Sequence, residues 1–222
     1  MTTTQVLNGL TKTNLREQAL ASLRTAITSG RLAPTTQMVE TDLSEQLGIS
    51  RGTLREAMRQ LQQEGLLVAG PRGRLYVRRV GPREIADIFA VRASLEALAA
   101  GLLAERTDRT SLVERLNALL TAMAEAADHE DLEGRIESDL SFHRELCRAT
   151  GNETLLHTWQ GLEGAIRMSI MFAGLDRAVG NMNVPRHRAI VDAIATGNAQ
   201  QARDAVGEHM HWAAVNLTAE ET

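Results

Sequence analysis

The most constraining feature of this chain is a stretch in which a glycine separates two short segments of helical periodicity. The stretch reads Leu43-Ser44-Glu45-Gln46-Leu47-Gly48-Ile49-Ser50-Arg51-Gly52-Thr53-Leu54-Arg55-Glu56-Ala57-Met58. Its apolar residues recur at helical spacing, so each segment predicts one buried face. Gly48 can take the left-handed conformation that ends a helix, and Ser50 offers an oxygen to the free N–H groups that begin the next. The pattern predicts a helix-turn-helix, with an ordinary helical hairpin as the alternative.

The second segment carries arginines close to its N-terminal end. Cations are unfavourable there in an ordinary helix, because the helix dipole places positive charge at that end. The placement suits a helix that faces DNA, since a forked guanidinium bonds phosphates and base edges bidentately. We therefore expect Arg51 and Arg55 to contact the major groove.

Beyond Gly65 the helical pattern gives way to two short extended segments around the turn Gly70-Pro71-Arg72-Gly73. Alternation about such a turn predicts a two-stranded hairpin. A hairpin that follows a recognition helix is a wing, and we expect Arg72 and Arg74 to hold DNA phosphates there. With a supporting helix from Leu15 to Ile27, residues 12–79 predict a winged helix.

The charge of the chain changes sign at the same place. Residues 1–80 hold 11 Lys and Arg against 6 Asp and Glu, whereas residues 81–222 hold 13 against 22. An overall net charge of −4 therefore hides a basic N-terminal segment of the kind that binds nucleic acid. We predict a DNA-binding domain over residues 1–80 and a second, acidic domain over residues 81–222.

The acidic half is rich in alanine and leucine and predicts helices joined by short connections. Such connections favour antiparallel neighbours, so the fold class is mainly α, a winged helix followed by an all-α antiparallel six-helix bundle. The predicted helices span about 84–105, 110–127, 131–149, 153–173, 185–197 and 198–217. The first of them is expected to direct an apolar stripe inward at Ile85, Ile88, Val91, Leu95, Leu98 and Leu102.

The length and composition of the chain favour a soluble protein of a reducing cytoplasm. The chain has no apolar run long enough to cross a membrane, and its start lacks the pattern of a signal peptide. Cys147 is the single cysteine, which excludes a disulfide framework and a cysteine-based metal site. Cys147 itself is expected to be a buried helix residue.

Four side chains of the predicted bundle form a candidate metal site. Asp139 and His143 lie one helical turn apart on one face. His187 and His209 are placed at similar distances, about 15–18 Å, from the turn at Gly197, so an antiparallel hairpin brings them level. Three imidazoles and one carboxylate suit Zn(II), Ni(II), Mn(II) or Fe(II). The alternative is that each histidine is isolated, which is the interpretation adopted for His129, His157 and His211.

Both halves of the chain resemble a known family of regulators. Leu47 to Met58, followed by Leu61-Gln62-Gln63-Glu64-Gly65-Leu66-Leu67, resembles the N-terminal domain of GntR-family bacterial transcription regulators. The acidic half resembles the FCD-type effector domain of that family, and six helices are more similar to the VanR-like branch of the FadR subfamily. The matching segments there are Val91-Arg92-Ala93-Ser94-Leu95-Glu96, Asp139-Leu140-Ser141-Phe142-His143, Thr150-Gly151-Asn152, His187-Arg188-Ala189-Ile190 and His209.

The resemblance implies a bacterial cytoplasmic regulator in which residues 81–222 form the effector-binding and dimerisation domain. It implies a homodimer that binds a pseudo-palindromic double-stranded DNA operator and responds to a small organic acid in the bundle. It implies that the wing tip enters the minor groove and that the bundle holds a divalent ion, often zinc. Thr41 occupies a position where some relatives have arginine. We assign the DNA interface to Thr41, Ser50, Arg51, Thr53, Arg55, Arg72, Gly73 and Arg74, and the metal site to Asp139, His143, His187 and His209.

The mechanism that follows is ligand-controlled repression. Arg92 is expected to anchor the carboxylate of an effector beside the metal, or else to form a salt bridge with a neighbouring glutamate. One alternative function is a regulator that senses the metal ion itself. Another is a small metallohydrolase, which would need a general base near the metal, and Glu163 is the one candidate for it.

Overall fold

The computed structural model describes residues 15–127, 132–173 and 175–219. Its N-terminal part contains three helices and a short antiparallel hairpin, as predicted. The elements are α1 (Leu15–Thr28), α2 (Glu40–Leu47), α3 (Arg51–Gln63), β1 (Leu67–Ala69) and β2 (Leu75–Val77).

The turn between α2 and α3 has the predicted local chemistry. Gly48 adopts a left-handed conformation with a φ of 62° and ends α2. The Ser50 hydroxyl accepts a hydrogen bond of 3.1 Å from the backbone N–H of Thr53 and so caps α3. Below the turn, Leu54 and Leu61 are fully buried against α1. The buried faces and the cap thus fix the recognition helix on its support while its other face stays exposed.

The hairpin pairs β1 with β2 in an antiparallel register in which Val68 lies opposite Tyr76. Its connection is tight because Arg72 and Gly73 both have positive φ, 60° and 70° respectively. At Gly73 nothing lies within 4 Å of where a side chain would begin. The wing tip is therefore open to a ligand that approaches from outside.

The C-terminal part is a helical bundle, and its six long helices agree with the predicted ones to within two residues. The central α4 packs along α10, and the ion pair of Arg203 with Glu105 shows that the two run antiparallel. The helices are α4 (Pro82–Ala104), α5 (Thr110–Ala127), α6 (Leu132–Ala149), α7 (Glu153–Phe172), α8 (Leu175–Asn181), α9 (Val184–Ala195) and α10 (Ala199–Thr218).

The short helix α8 was not predicted, so the described bundle has seven helices. It spans seven residues, which is too short to show a clear apolar period. Contacts with α10 hold it: the Asn216 side chain donates hydrogen bonds of 2.8 Å to the Arg177 carbonyl oxygen and to Asn181 Oδ1. Such contacts depend on tertiary structure and leave no local pattern in the sequence.

The predicted inner stripe of α4 is wrong for three of its six residues. Ile85 and Ile88 are buried, but Val91, Leu98 and Leu102 are exposed by 48%, 44% and 37%. The buried face of α4 is rotated from the predicted one. It contains Phe89, Arg92, Glu96, Ala99, Ala100 and Leu103, because small residues admit α10 and two charged residues bond in the interior.

None of the described helices is both long and apolar enough to cross a membrane. Cys147 is buried, as expected. His129 lies outside the described residues.

Candidate metal centre and DNA interface

Three histidines from three helices meet in the interior of the bundle. His143 comes from α6, His187 from α9 and His209 from α10, and each is at most 5% exposed. One ring nitrogen from each lies within 4.8 Å of the other two. Asp139 is also buried and lies one turn before His143 on α6. The structure thus brings the three predicted histidine ligands together and places Asp139 next to two of them, His143 and His187.

The distances among these ligand atoms are short. His143 Nε2 lies 3.1 Å from His187 Nε2, and His187 Nε2 lies 3.0 Å from Asp139 Oδ1. Asp139 Oδ1 is 3.9 Å from His143 Nε2. Ligands that bind a tetrahedral ion at about 2.0–2.1 Å lie about 3.3 Å apart. The spacing therefore suits coordination of one small cation.

The outer nitrogens of two histidines have acceptors that fix the ring orientation. His187 Nδ1 lies 2.9 Å from the carbonyl oxygen of Asn183, which can only accept. His143 Nδ1 lies 2.5 Å from Glu96 Oε2. When both rings are neutral and carry their proton on Nδ1, the two Nε2 lone pairs and Asp139 Oδ1 are available to bind one cation. Such a group of acceptors is favourable around a cation and repulsive otherwise.

Glu96 joins the site to two further helices. Its Oε1 accepts hydrogen bonds of 2.7 Å from Arg92 Nε and from Trp159 Nε1, while Oε2 faces His143. Burial raises the pKa of the Glu96 carboxyl, and the Arg92 charge and these donors oppose that effect. Glu96 therefore acts as the orienting carboxylate behind a candidate metal ligand.

The electrostatics of the cluster favour an unprotonated imidazole at His143 and at His209. Burial lowers the pKa of His143 and of His209 well below the ordinary value, and nearby positive charges add to the effect. Burial also raises the pKa of Asp139, but the hydrogen bond from His187 and the charges of the neighbouring cations leave it below its ordinary value. Neutral imidazoles and an ionised carboxylate are the forms that bind metal ions.

Two guanidinium groups next to the cluster have nitrogen atoms without a hydrogen-bond partner among the described residues. Arg92, 2% exposed, leaves its Nη2 unbonded at 3.9 Å from Asp139 Oδ2. Arg186 leaves its buried Nε unbonded and stacks its guanidinium 3.6 Å above the ring of Trp212. His209 Nδ1 is likewise unbonded. Arg92 thus forms the glutamate salt bridge and still keeps a free N–H group beside the candidate ligands.

The other candidates in the bundle lie elsewhere. His157 and His211 are exposed, away from the buried cluster. Glu163 forms an ion pair of 2.5 Å with Arg144. No general base therefore comes from Glu163, because the guanidinium holds its carboxylate outside the cluster. Burial raises the pKa of the Cys147 thiol, so this cysteine is not a ready nucleophile.

The candidate DNA residues lie on the exposed face of α3 and on the wing. Arg51 is exposed, and Thr53 is half-buried with its hydroxyl 2.9 Å from Ser50 Oγ. Arg55 is exposed and donates from Nε to Glu40 Oε2 over 2.7 Å. Glu40 thereby holds the Arg55 guanidinium in one direction on the surface.

A groove of about 410 Å³ separates the recognition helix from the wing. Arg55, Arg59 and Gln62 line it from α3, and Gly73 and Arg74 line it from the hairpin. Exposed Arg72 lies at the wing tip, whereas exposed Thr41, near the start of α2, bonds Asp42 Oδ1 over 2.9 Å. The groove collects positive charge on the face that a helix-turn-helix presents to DNA.

Several residues of these sites were missed by the sequence analysis. Arg59 follows Arg55 by one helical turn and was recognisable on that spacing. Glu96 follows Arg92 by one turn, but its bonds to His143 and Trp159 join positions far apart in the chain and left no sequence signal. The same is true of Arg186.

Comparisons with known proteins agree with this architecture. The model of the "Bacterial regulatory proteins, gntR family" domain matches residues 15–77, and the FCD domain model matches residues 87–211. The chain is 28% identical over 201 residues to a "Probable D-xylose utilization operon transcriptional repressor" of Paenarthrobacter nicotinovorans, covering 90% of this chain and 88% of that protein.

Further similarities concern a regulator of unknown role and two solved structures. An uncharacterized HTH-type regulator of Streptomyces ambofaciens is 28% identical over 199 residues, covering 90% of this chain and 83% of that protein. E. coli McbR/YncC shares the fold with a TM-score of 0.72 at 21% identity, covering 91% of this chain and 96% of that one. A structure from Rhodococcus sp. RHA1, described as a GntR regulator, has a TM-score of 0.73 at 23% identity, covering 92% and 98%.

Proposed function

This chain belongs to the GntR family of bacterial DNA-binding transcription regulators with an FCD domain, and we propose that it is a cytoplasmic repressor controlled by a divalent metal ion and a small carboxylate. One observation carries the proposal for the bundle. The Nε2 atoms of His143 and His187 and an oxygen of Asp139 lie at about hydrogen-bond distance in a buried site, with His209 beside them. This donor set fits a divalent cation, most naturally Zn²⁺, with Ni²⁺, Mn²⁺ and Fe²⁺ as the other candidates.

The charge balance favours an anionic co-ligand. Arg92 contributes one positive charge, and Asp139 and Glu96 contribute at most two negative ones, so a divalent ion leaves the site net positive. Protonation of Glu96 would increase that excess. The free Nη2 of Arg92 offers a hydrogen bond to a carboxylate at the same place. A small organic acid that bridges the metal and Arg92 is therefore the effector that this site fits.

A regulator that responds to the metal alone remains the second candidate function. It shares the same four ligands and differs only in needing no organic acid. The metallohydrolase alternative is not supported, because the family acts in transcription and Glu163 is held by Arg144 away from the cluster.

Operator binding tests the regulatory proposal directly. DNA selected by the wild-type protein from a random pool is titrated in gel shifts with Zn²⁺, with a chelator, and with Zn²⁺ plus a panel of small carboxylic acids. We expect one or more acids to weaken binding only when Zn²⁺ is present. A response to Zn²⁺ alone would favour the metal sensor, and unchanged affinity under all conditions would contradict both.

The exposed side of α4 supports the proposal of a homodimer. Val91, Leu98 and Leu102 are exposed and, with half-buried Leu95, follow the helical period along one ridge. An uninterrupted apolar ridge of this kind suits the same ridge of a second copy, since a two-fold interface is self-complementary. A two-fold protein also matches the pseudo-palindromic operator expected for the family.

Sedimentation of variants tests the dimer. Leu98→Glu places a charge in the centre of the ridge and is expected to shift the protein to monomers. Ala86→Glu places the same charge on an exposed position of α4 away from the ridge and is expected to leave the dimer intact. Dimeric Leu98→Glu protein would locate the interface elsewhere.

A further inference from the structure

The two domains touch where the end of the recognition helix meets the middle of α7. The carbonyl oxygen of Glu64, the residue that follows α3, lies against the backbone of Gly164. A Cβ built on Gly164 would lie 1.3 Å from that oxygen, so no other residue fits there without moving the domains apart. Gly65 packs against the same part of α7, since a Cβ built on Gly65 would lie 3.6 Å from the backbone nitrogen of Ala165.

The contact is firmly anchored on the side of the DNA-binding domain. Arg24 of α1 forms a bidentate pair with the Glu64 carboxylate, with distances of 2.7 Å to Oε1 and 3.2 Å from Nε to Oε2. Gln60 donates a further bond of 3.2 Å to Glu64 Oε1. A displacement of Glu64 would therefore carry α1 and α3 with it.

The contact is also anchored on the side of the bundle. Glu163 and Arg167 flank Gly164 on α7, and each is ion-paired to α6. Arg144 lies 2.5 Å from Glu163, and Glu137 pairs with both Arg167 and Arg144. Between Glu137 and Arg144, the same helix carries two of the candidate metal ligands. A cleft of about 640 Å³, lined by residues of both domains, opens beside the contact.

We propose that Gly164 is a positioning residue for DNA recognition, because its bare backbone seats the end of the recognition helix on α7 and so sets the direction of the DNA-binding domain. In a dimer this direction fixes the distance and angle between two recognition helices. Operators with two half-sites select for that geometry, whereas a single half-site does not. The consequence for operators rests on the proposed homodimer.

The experiment compares Gly164→Ala with Gly161→Ala in the full-length protein. Both substitutions add one methyl group to α7, but Gly161 has open space where its Cβ would lie. Binding is measured to a two-fold operator selected by the wild type and to a DNA that contains one half-site. We expect Gly164→Ala to lower the affinity for the two-fold operator by about tenfold or more and to leave the affinity for the half-site unchanged. The reason is that the gain in affinity from binding two half-sites at once depends on the geometry of the two recognition helices. Gly161→Ala is expected to match the wild type on both DNAs.

Two further measurements keep the proposal falsifiable. Hydrogen exchange at the amides of residues 64–66 is expected to be faster in Gly164→Ala than in Gly161→Ala, independently of any DNA. Arg167→Gln, which removes one anchor without a clash, is expected to lose less than Gly164→Ala on the two-fold operator and nothing on the half-site. Wild-type exchange and wild-type operator affinity in Gly164→Ala would overturn the proposal.

The outcomes separate this proposal from the proposed dimer and metal site. If the wild type gains nothing from a second half-site, the dimeric interpretation fails, and the exchange data alone decide whether Gly164 seats the recognition helix. Metal content plays no part in either readout.

Discussion

The DNA-binding domain and the bundle place their functional groups in opposite ways. The arginines of α3 and the wing are exposed, and three of the candidate DNA residues lie within one turn of helix, at Arg51, Thr53 and Arg55. The candidate metal ligands are buried, and they come from α6, α9 and α10, up to 70 residues apart in the chain. The first site is made by a local segment, whereas the second exists only when the bundle has assembled.

This difference has consequences for stability. Removal of an exposed arginine leaves the core of the DNA-binding domain intact, so binding changes without unfolding. Removal of a buried ligand affects the bundle itself, because an ion that binds only the folded state ties distant helices together. Variants of the DNA-binding domain should therefore change DNA affinity without changing stability, whereas variants of the buried cluster should change the stability of the bundle.

The largest expected effect is the loss of operator binding in Arg55→Ala. A bidentate contact of arginine with a base contributes about 1–3 kcal/mol, and a dimer would lose it in both half-sites. Specific binding should therefore fall by about 30-fold or more in a gel-shift titration. The melting temperature should stay close to that of the wild type. Arg188→Ala, which removes an exposed arginine from the bundle, is the control, and equal affinity of the two variants would place the recognition surface elsewhere.

The next effect is the loss of metal-dependent stability in His187→Ala or His209→Ala. An ion at a thousandfold excess over its dissociation constant stabilises the folded protein by about 4 kcal/mol. The wild type should therefore melt at a higher temperature with Zn²⁺ than with a chelator, and these variants should lose that difference. Exposed His157 and His211 provide matched alanine controls. If a variant keeps the full Zn²⁺-dependent rise in melting temperature, the histidine it replaces is not a metal ligand.

A smaller effect is expected from Glu96→Gln, which keeps the size of the side chain but weakens its interaction with His143. Loss of a carboxylate behind a metal-binding histidine typically costs 10- to 100-fold in metal affinity. Isothermal titration with Zn²⁺ measures this change. Glu105→Gln, at an exposed position directly after the same helix, should bind Zn²⁺ like the wild type. An unchanged affinity in Glu96→Gln would limit Glu96 to a packing role.

The smallest effect compares helix caps in the two regions. Ser50 caps α3, and Asn198 caps α10 by accepting bonds of 3.0 and 3.1 Å from the backbone N–H groups of Gln200 and Gln201. Each alanine variant should lose about 1 kcal/mol of unfolding free energy, measured by urea denaturation. Ser50→Ala should also weaken operator binding, whereas Asn198→Ala should not. Equal DNA affinities would show that Ser50 serves only as a cap.

The sequence predicted well what is encoded locally. Gly48, Ser50 and the apolar period predicted the helix-turn-helix, and the bounds of the six long helices of the bundle were predicted to within two residues. The proximity of the candidate metal ligands was also predictable, because i, i+4 spacing and similar distances from one turn place these side chains together.

What the sequence could not predict depends on tertiary packing. Leucine and valine side chains on α4 suit either the core of the bundle or an interface with another chain. Val91, Leu98 and Leu102 were therefore predicted to point inward, although they are exposed. The role of Glu96 depends on Trp159, 63 residues later, and the contact of Glu64 with Gly164 joins two domains. Residue type and period carry no information on these contacts.

Metal stoichiometry tests the central claim about the bundle most directly. Elemental analysis of the wild type and of His187→Ala, His209→Ala, His157→Ala and His211→Ala, each purified after metal supplementation, compares ligands with non-ligands. The account predicts about one ion per chain in the wild type and in the two exposed variants, and strongly reduced metal in the two buried ones. Equal metal in all five proteins, or none in the wild type, would contradict the four-residue site.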